Sequence, residues 1–438
     1  MTGGDVFHRL LSILTDCIAG FPDPRKGKNA RYSMGDFALS AFSVFFTQSP
    51  SFLMHQRSMQ KAKNSNNGRT LFGIQHIPTD PQIRNVLDEL PYHQLDPIFT
   101  QVISLLQEES QLEGYRVLDG QLLICLDGTE FFSSDALSCD FCSSRELSNA
   151  KVNHFHTALT PAIVQPGNSR VLPLPPEIIS PQDGHDKQDC ENAAAKRWLQ
   201  RWEGLCKTLG SVTLLGDDLY SKQTLCRLMQ KVGLNFILVC KPSSHPWLAD
   251  WIRACDPRKD LHESRQKVWD GRRHSTRITR WINGVPLTSD SDSLQLNWVE
   301  LVIVDENGKE TFHNSWVTTH LLSADNVEPT IEAGRCRWKI ENENNNTLKT
   351  KGYHLEHNFG HGKKNLSNLL FTLNIVAFLF HTVLEILDPR YRLLRQTLVR
   401  RDTFFNDLRA LTRYICFDGW QAMLLFMLQG LELEDPGG

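Results

Sequence analysis

The longest apolar run of the chain, Leu366 to Leu387, leaves it two choices: to cross a bilayer, or to lie at the centre of a body large enough to cover it. Asn368, Thr372, Asn374, His381 and Glu385 interrupt the run, and polar groups at that density are costly in hydrocarbon. The expectation is therefore a buried helix that closes a core, with no membrane partner. A chain of 438 residues, 40% hydrophobic and 22% charged, has the material to cover such a helix and is long enough for two or three domains.

The formal net charge of -3 shows no global basic excess, so any nucleic-acid binding must come from local patches rather than from the field of the whole protein. Eleven cysteines follow a start, MTGGDVFHRLL, that carries no apolar leader. This argues for a reducing, cytoplasmic compartment and against a disulfide framework, and it leaves metal binding as the special role for a thiol.

Periodicity divides the chain. Residues 1–112 read as a helical bundle: FHRLLSILTDCIAGF, MGDFALSAFSVFFTQ, DPQIRNVLDEL and LDPIFTQVISLLQEE each carry apolar residues at helical spacing. The linker RSMQKAKNSNNGRT is basic and rich in Asn, which marks an exposed loop able to touch phosphate. From residue 113 to 388 the character is mixed α/β. Short apolar runs (QLLICLD, FHTALTPAIV, SRVLPLPPEII) precede an amphipathic helix CENAAAKRWLQRWEGLCKTL, a strand SVTLLGDD, a helix YSKQTLCRLMQKV and a strand NFILVCKP, all compatible with one central sheet. An insertion over about 242–323 contains a hairpin that turns at Asn307-Gly308. Asp325 to about Leu348 reads as one helix, with Asp325 and Glu328 at capping-box spacing and Pro329 in the first turn. Residues 389–438, alternating basic and apolar, read as a helical tail.

Within the α/β region, Asp127 ends the run LLICLD and Asp217 ends TLLGDD, so each carboxylate sits where a buried strand leaves its sheet. Glu341 lies on the late helix, with Arg337 four residues before and Asn344 three after on the same face. Taken alone, a strand-end Asp is ordinarily a turn or a cap. Three carboxylates together suit a hard cation such as Mg²⁺, which takes oxygen ligands and stabilises both attacking and leaving oxygens in phosphoryl transfer.

DGTEFF, GDDLYS and RWKIENENNNTLK, in that order, resemble the three motifs of insertion-sequence DDE transposases, and the resemblance covers about residues 115–388. It implies an RNase H-like mixed-sheet catalytic core with a mostly β insertion between the second Asp and the Glu, beside an all-α N-terminal domain that binds terminal inverted repeats. It also implies Mg-dependent DNA strand cleavage and transfer, with Mn²⁺ able to substitute, on double-stranded DNA of transposon ends and target. The protein would then work as a homo-oligomer on DNA, associated with the nucleoid. Asp127 matches the first metal ligand, Asp217 the second, with Asp218 as its rival, and Glu341 the third. The family's extended Glu motif keeps Arg337 here, but Gly334 stands for its Tyr and Leu348 for its Lys, with Lys349 one residue later, about 100° further round a helix. Arg337, Lys349 and Lys351 remain candidates for DNA contact. The alternatives are a non-catalytic DNA-binding protein derived from a transposase, or an RNase H-like nuclease.

Two further groups stand outside those motifs. Cys139 and Cys142 form a CxxC, and His154 and His156 follow at alternating strand positions that share a face, a candidate structural Zn²⁺ set. His354, His357 and His361 lie among Gly352, Gly360 and Gly362, which disfavour a fixed helix; the reading is a loop whose Lys363, Lys364, Tyr353 and Phe359 could clamp a DNA end. In the insertion, Arg272, Arg273, Arg277 and Arg280 are the expected phosphate contacts, interleaved with Trp251, Trp269 and Trp281.

Overall fold

A computed structural model describes residues 5–26, 31–60, 67–148, 151–181, 190–256, 260–269 and 271–437. The N-terminal helices are α1 (Val6–Ala19), α2 (Met34–Phe46), α3 (Phe52–Gln60), α4 (Asn67–Phe72), α5 (Asp80–Leu87) and α6 (Asp96–Glu108). Helix α2 is buried almost throughout, and Ser33 and Asp36 cap it reciprocally. The basic linker expected to be a loop is helical at both ends, in α3 and α4, while its centre, residues 61–66, lies outside the described residues.

The strands that follow are β1 (Leu122–Cys125), β2 (Gly128–Ser134), β3 (Ser143–Glu146), β4 (Val152–Leu159), β5 (Ala162–Gln165), β6 (Asn168–Pro173) and β7 (Glu177–Ile179). After α7 (Glu191–Arg201) and α8 (Glu203–Leu209) come β8 (Val212–Gly216), α9 (Gln223–Lys231), β9 (Asn235–Val239) and α10 (Pro246–Ala254). The insertion forms β10 (His262–Trp269), β11 (His274–Pro286), β12 (Gln295–Asp305) and β13 (Glu310–Thr318).

Among the described residues, nine strands make one open sheet in the order β10-β11-β12-β13-β9-β8-β1-β5-β6. β1 runs parallel to β8 and β8 to β9, whereas β5 lies antiparallel to β1. β1 and β8 are buried on both faces, hence their unbroken apolar sequences. The insertion is not a separate β module: its last strand, β13, pairs with β9, so its meander extends the central sheet.

A single central sheet was expected, but a second sheet of β2-β4-β3 with β7 on β4 branches from the first. The run FHTALTPAIV divides at Thr160-Pro161, with β4 in the smaller sheet and β5 in the larger, and β1 and β2 divide likewise at Asp127. Both chains turn the same corner there, and the Thr160 N–H donates to the Asp127 carbonyl at 2.8 Å.

The late helix is not continuous. It comprises α11 (Val327–Arg335), a π-helical turn over Ile340–Asn345, and α12 (Asn346–Thr350). The expected Asp325/Glu328 capping box is absent because the Glu328 carboxylate instead accepts from Arg277 Nη2 at 2.9 Å and Thr279 Oγ1 at 2.6 Å.

The apolar run forms α13 (Leu366–Leu387), buried against α1, α2, β6 and α14 (Pro389–Thr397); Phe405 of α15 (Arg401–Tyr414) meets His381 of α13, and α16 (Trp420–Gly430) packs on α14. The polar residues of α13 are placed: Asn374 donates to the Tyr353 carbonyl, His381 meets the Tyr353 hydroxyl at 2.7 Å, and Glu385 lies among Arg395, Arg401 and Arg170. Its N-terminus is capped from outside, where the Asp88 carboxylate accepts the N–H groups of Lys363, Lys364, Asn365 and Leu366.

Candidate functional site: a carboxylate cluster and a Cys–His group

Asp127 sits at the corner after β1, and Asp217 directly follows β8. Because β1 and β8 are adjacent and parallel, with Cys125 level with Leu215, the two carboxylates leave the same edge of the sheet. The π turn packs across that edge. Asn345 Nδ2 donates to Asp127 Oδ2 at 3.0 Å, Thr160 Oγ1 donates to Asn345 Oδ1 at 2.9 Å, and the Cys125 thiol meets the Arg337 carbonyl at 3.5 Å. Glu341, on the same turn, pairs with Arg337 at 2.7 Å.

Burial pushes the Asp127 carboxyl up to about 7, and the neighbouring negative charges of Glu191, Glu341 and Asp217 add to the effect, against Arg337. Arg337 offsets these negative charges only in part, and an all-oxygen donor set is what a hard divalent cation requires.

Glu191 was not anticipated. At the first turn of α7 it reads in sequence as an acidic residue complementing a helix dipole. In the structure its carboxylate lies against Gly128, where a Cβ would come within 2.4 Å of it, and accepts from the Tyr220 hydroxyl at 3.0 Å. Burial and then the charge of Asp217 push its acidity weaker, partly offset by the Tyr220 and Gly128 donors.

Asp217 and Asp218 are separated in role. Asp217 accepts only from the Leu219 N–H, at 2.8 Å, among the described residues, and faces the cluster. Asp218 turns away: Oδ1 accepts from the Lys241 N–H at 2.7 Å and Oδ2 accepts from the Ser244 hydroxyl. It anchors the segment after β9.

Gly334 lies where α11 crosses the sheet, and a Cβ there would come within 2.9 Å of Ile237 and 3.0 Å of the Trp316 indole nitrogen. A larger residue there would have to displace Ile237 or Trp316. Leu348 is fully buried, while Lys349 is partly exposed and pairs with Glu356 at 2.9 Å; Lys351 is exposed.

The second group is built around the CxxC. Cys139 and Cys142 flank a turn that leads into β3, and His156 projects from β4 opposite Phe132. Cys139, Cys142, His156 and His361 bring one ligand atom each within 4.8 Å of one another. His154, expected in this set, is not in it. It lies two residues before His156 on the same strand face, but its ring is not among the four whose ligand atoms converge. Its place is taken by His361, from the connection between α12 and α13.

That connection is a loop, as expected, with Tyr353 and Phe359 turned inward and Lys363 and Lys364 exposed. Tyr353 and Phe359 belong to the core, with Phe359 against Phe45 and Phe52, and Lys364 pairs with Glu89 at 2.7 Å. In the insertion, Arg277 pairs with Glu328 and Glu332, and Arg280 with Glu263 and Glu300. Both are engaged within the protein. Arg272 and Arg273 are exposed, as is Trp269, whereas Trp281 is buried.

No protein-family model matches the chain, and comparison with curated proteins returns no match.

Proposed function

We propose that the protein is a DNA transposase of the DDE type, with an RNase H-like core in which Asp127, Asp217 and Glu341 hold the catalytic cations. The observation that carries this reading is that the π turn bearing Glu341 docks on Asp127, where Asn345 Nδ2 donates to Asp127 Oδ2 at 3.0 Å. Support comes also from the layout: two acidic residues leave neighbouring parallel strands, a Glu comes from a helical segment packed across them, and a β extension lies between the second Asp and the Glu.

The π turn bears on Lys349. An α-helix advances about 100° per residue, and a π turn takes up one residue more than an α turn, so its insertion between Glu341 and Lys349 offsets the one-residue displacement from Leu348. Lys349 thereby returns towards the face of Glu341, within reach of a phosphate.

When bound, Mg²⁺ would neutralise the cluster and activate the attacking oxygen for in-line displacement at a phosphodiester. The residues of the chain prepare the place. Asn345 fixes one oxygen of Asp127, the Leu219 N–H one oxygen of Asp217 and Arg337 one oxygen of Glu341, which leaves the second oxygen of each without a protein donor among the described residues. Glu191, oriented by Tyr220, adds a fourth negative charge that raises cation affinity. DNA would approach over Lys349, Lys351, Arg272 and Arg273, and pairing of two transposon ends would require at least a dimer on DNA.

The test is cleavage and joining of duplex DNA carrying the gene's own flanking sequences, with an excision reporter in cells as the parallel assay. Wild-type protein is expected to cut and join with Mg²⁺ or Mn²⁺. Asp127→Asn and Glu341→Gln should lose cleavage by at least a hundredfold while still binding the flanks. Cleavage at the wild-type rate in either variant refutes the assignment. Cleavage without joining, in wild type, would favour a nuclease on the same core.

A further inference from the structure

The Cys–His group has the dimensions of a tetrahedral metal site. The sulfurs of Cys139 and Cys142 are 3.8 Å apart, His156 Nε2 is 3.4 Å from each, and His361 Nε2 is 3.6 Å from Cys142. An ion with four tetrahedral ligands at ordinary Zn–S and Zn–N lengths holds two thiolates about 3.8 Å apart, and a thiolate and an imidazole about 3.5 Å apart. A sulfur separation of 3.8 Å is far beyond the roughly 2 Å of a disulfide, and both cysteines are free.

The surroundings favour one orientation of each ligand. His156 is fully buried between β2 and β3 and lies near the Phe131 ring, and His361 stacks on Phe132 with centroids 4.2 Å apart. Gly360 and Gly362, both with positive φ, let the backbone carry His361 into place; a Cβ on Gly362 would strike the Asp88 carboxylate that caps α13. Neither imidazole has a carboxylate partner among the described residues that would explain its burial as an ion pair.

We propose that Cys139, Cys142, His156 and His361 bind one Zn²⁺, and that this ion clasps the smaller sheet to the segment between α12 and α13. Two thiolates and two imidazoles in a tetrahedron suit zinc over the hard cations that the carboxylates would take. The clasp joins the two halves of the carboxylate cluster. Three of its ligands belong to the hairpins that leave the corner at Asp127, and the fourth follows the helical segment that carries Glu341, 219 residues beyond Cys142. Closing so long a loop fixes the separation of those halves. The inference does not depend on strand-transfer chemistry, because its readout is metal content.

The experiment uses the full chain, purified without chelator and analysed for metals by mass spectrometry. About one equivalent of zinc is expected in wild type and in His154→Ala, and less than a tenth of that in His361→Ala and Cys142→Ser. Should the ligand variants fail to fold, wild-type protein refolded with Co²⁺ in place of zinc is expected to show the intense visible bands of a tetrahedral thiolate site. Wild type that carries no zinc and takes up neither Zn²⁺ nor Co²⁺ overturns the proposal. So does loss of zinc in His154→Ala with retention in His361→Ala, or a stoichiometric ion other than zinc.

Discussion

Replacing Asp127 by Asn should stabilise the protein in Mg-free solution, although it removes the residue on which the proposed chemistry depends. The Asp127 carboxyl is raised from 3.8 to about 7 by burial and by Glu191, Glu341 and Asp217. In the unfolded chain it ionises near its ordinary value, so below about pH 4 it is protonated in both states and makes no difference. As pH rises from there to about 7 the unfolded state loses the proton and the folded state keeps it, so stability falls; above about 7 the loss is complete. A separation of about 3 pH units corresponds to roughly 4 kcal/mol at about pH 8 and roughly 1.5 kcal/mol at about pH 5. Asn at this position keeps an acceptor for Asn345 and carries no charge. Its stability relative to wild type should therefore improve by roughly 2–3 kcal/mol between those two pH values. Urea unfolding followed by tryptophan fluorescence measures this, in buffer free of both Mg²⁺ and chelator, since a chelator would also strip a thiolate-bound ion. Millimolar Mg²⁺ should reverse the order by stabilising only wild type. A difference between variant and wild type that does not change with pH would refute the reasoning, because it would mean that neither burial nor the neighbouring carboxylates weaken the acidity of Asp127.

Two further substitutions probe the same cluster. Glu191→Gln removes the nearest negative charge and should weaken Mg²⁺ binding on the order of tenfold in isothermal titration calorimetry; an unchanged affinity would place Glu191 outside the cation's field. Asp217→Asn should leave the fold intact and abolish Mg²⁺ binding, whereas Asp218→Asn should retain binding but lower unfolding stability by about 1–3 kcal/mol, since it weakens the carboxylate held by Lys241 and Ser244. The opposite pattern would make Asp218 the ligand.

The elements that local pattern could specify came out as read. The N-terminal helices, the buried strands β1, β8 and β9, and α13 each carry a periodicity or an apolar run that leaves little choice. Pairing was less legible. Nothing in FHTALTPAIV says that its two halves join different sheets, because the corner at Thr160 is fixed by what β1 and β2 do at Asp127, some thirty residues earlier. The insertion's strands were readable as β, but their fusion to β9 is a long-range pairing that no local signal encodes. The partners of the charged residues were illegible for a similar reason. The arginines of the insertion are dense in sequence, yet Arg277 and Arg280 find their carboxylates in α11, β10 and β12, which only the folded sheet brings near.

The candidate site shows the same limit more sharply. Asp127, Asp217 and Glu341 were legible because each belongs to a short motif, but the π turn that carries Glu341 was not, since IENENNN reads as ordinary, if poor, helix. The turn matters, because Asn345 donates to Asp127 from it. Glu191 and His361 were missed because their partners lie far along the chain, Glu191 beside Gly128 and Tyr220, and His361 beside a CxxC 219 residues earlier. In both cases the residue type was right for its chemistry and the spacing gave no hint. His154 was the reverse, with good spacing and the correct strand face but a ring that stays outside the converging set. For a set of ligands drawn from a strand, a turn and a distant connection, reach is decided by the sheet's corner and the glycines around His361, so geometry rather than spacing has to select the fourth ligand.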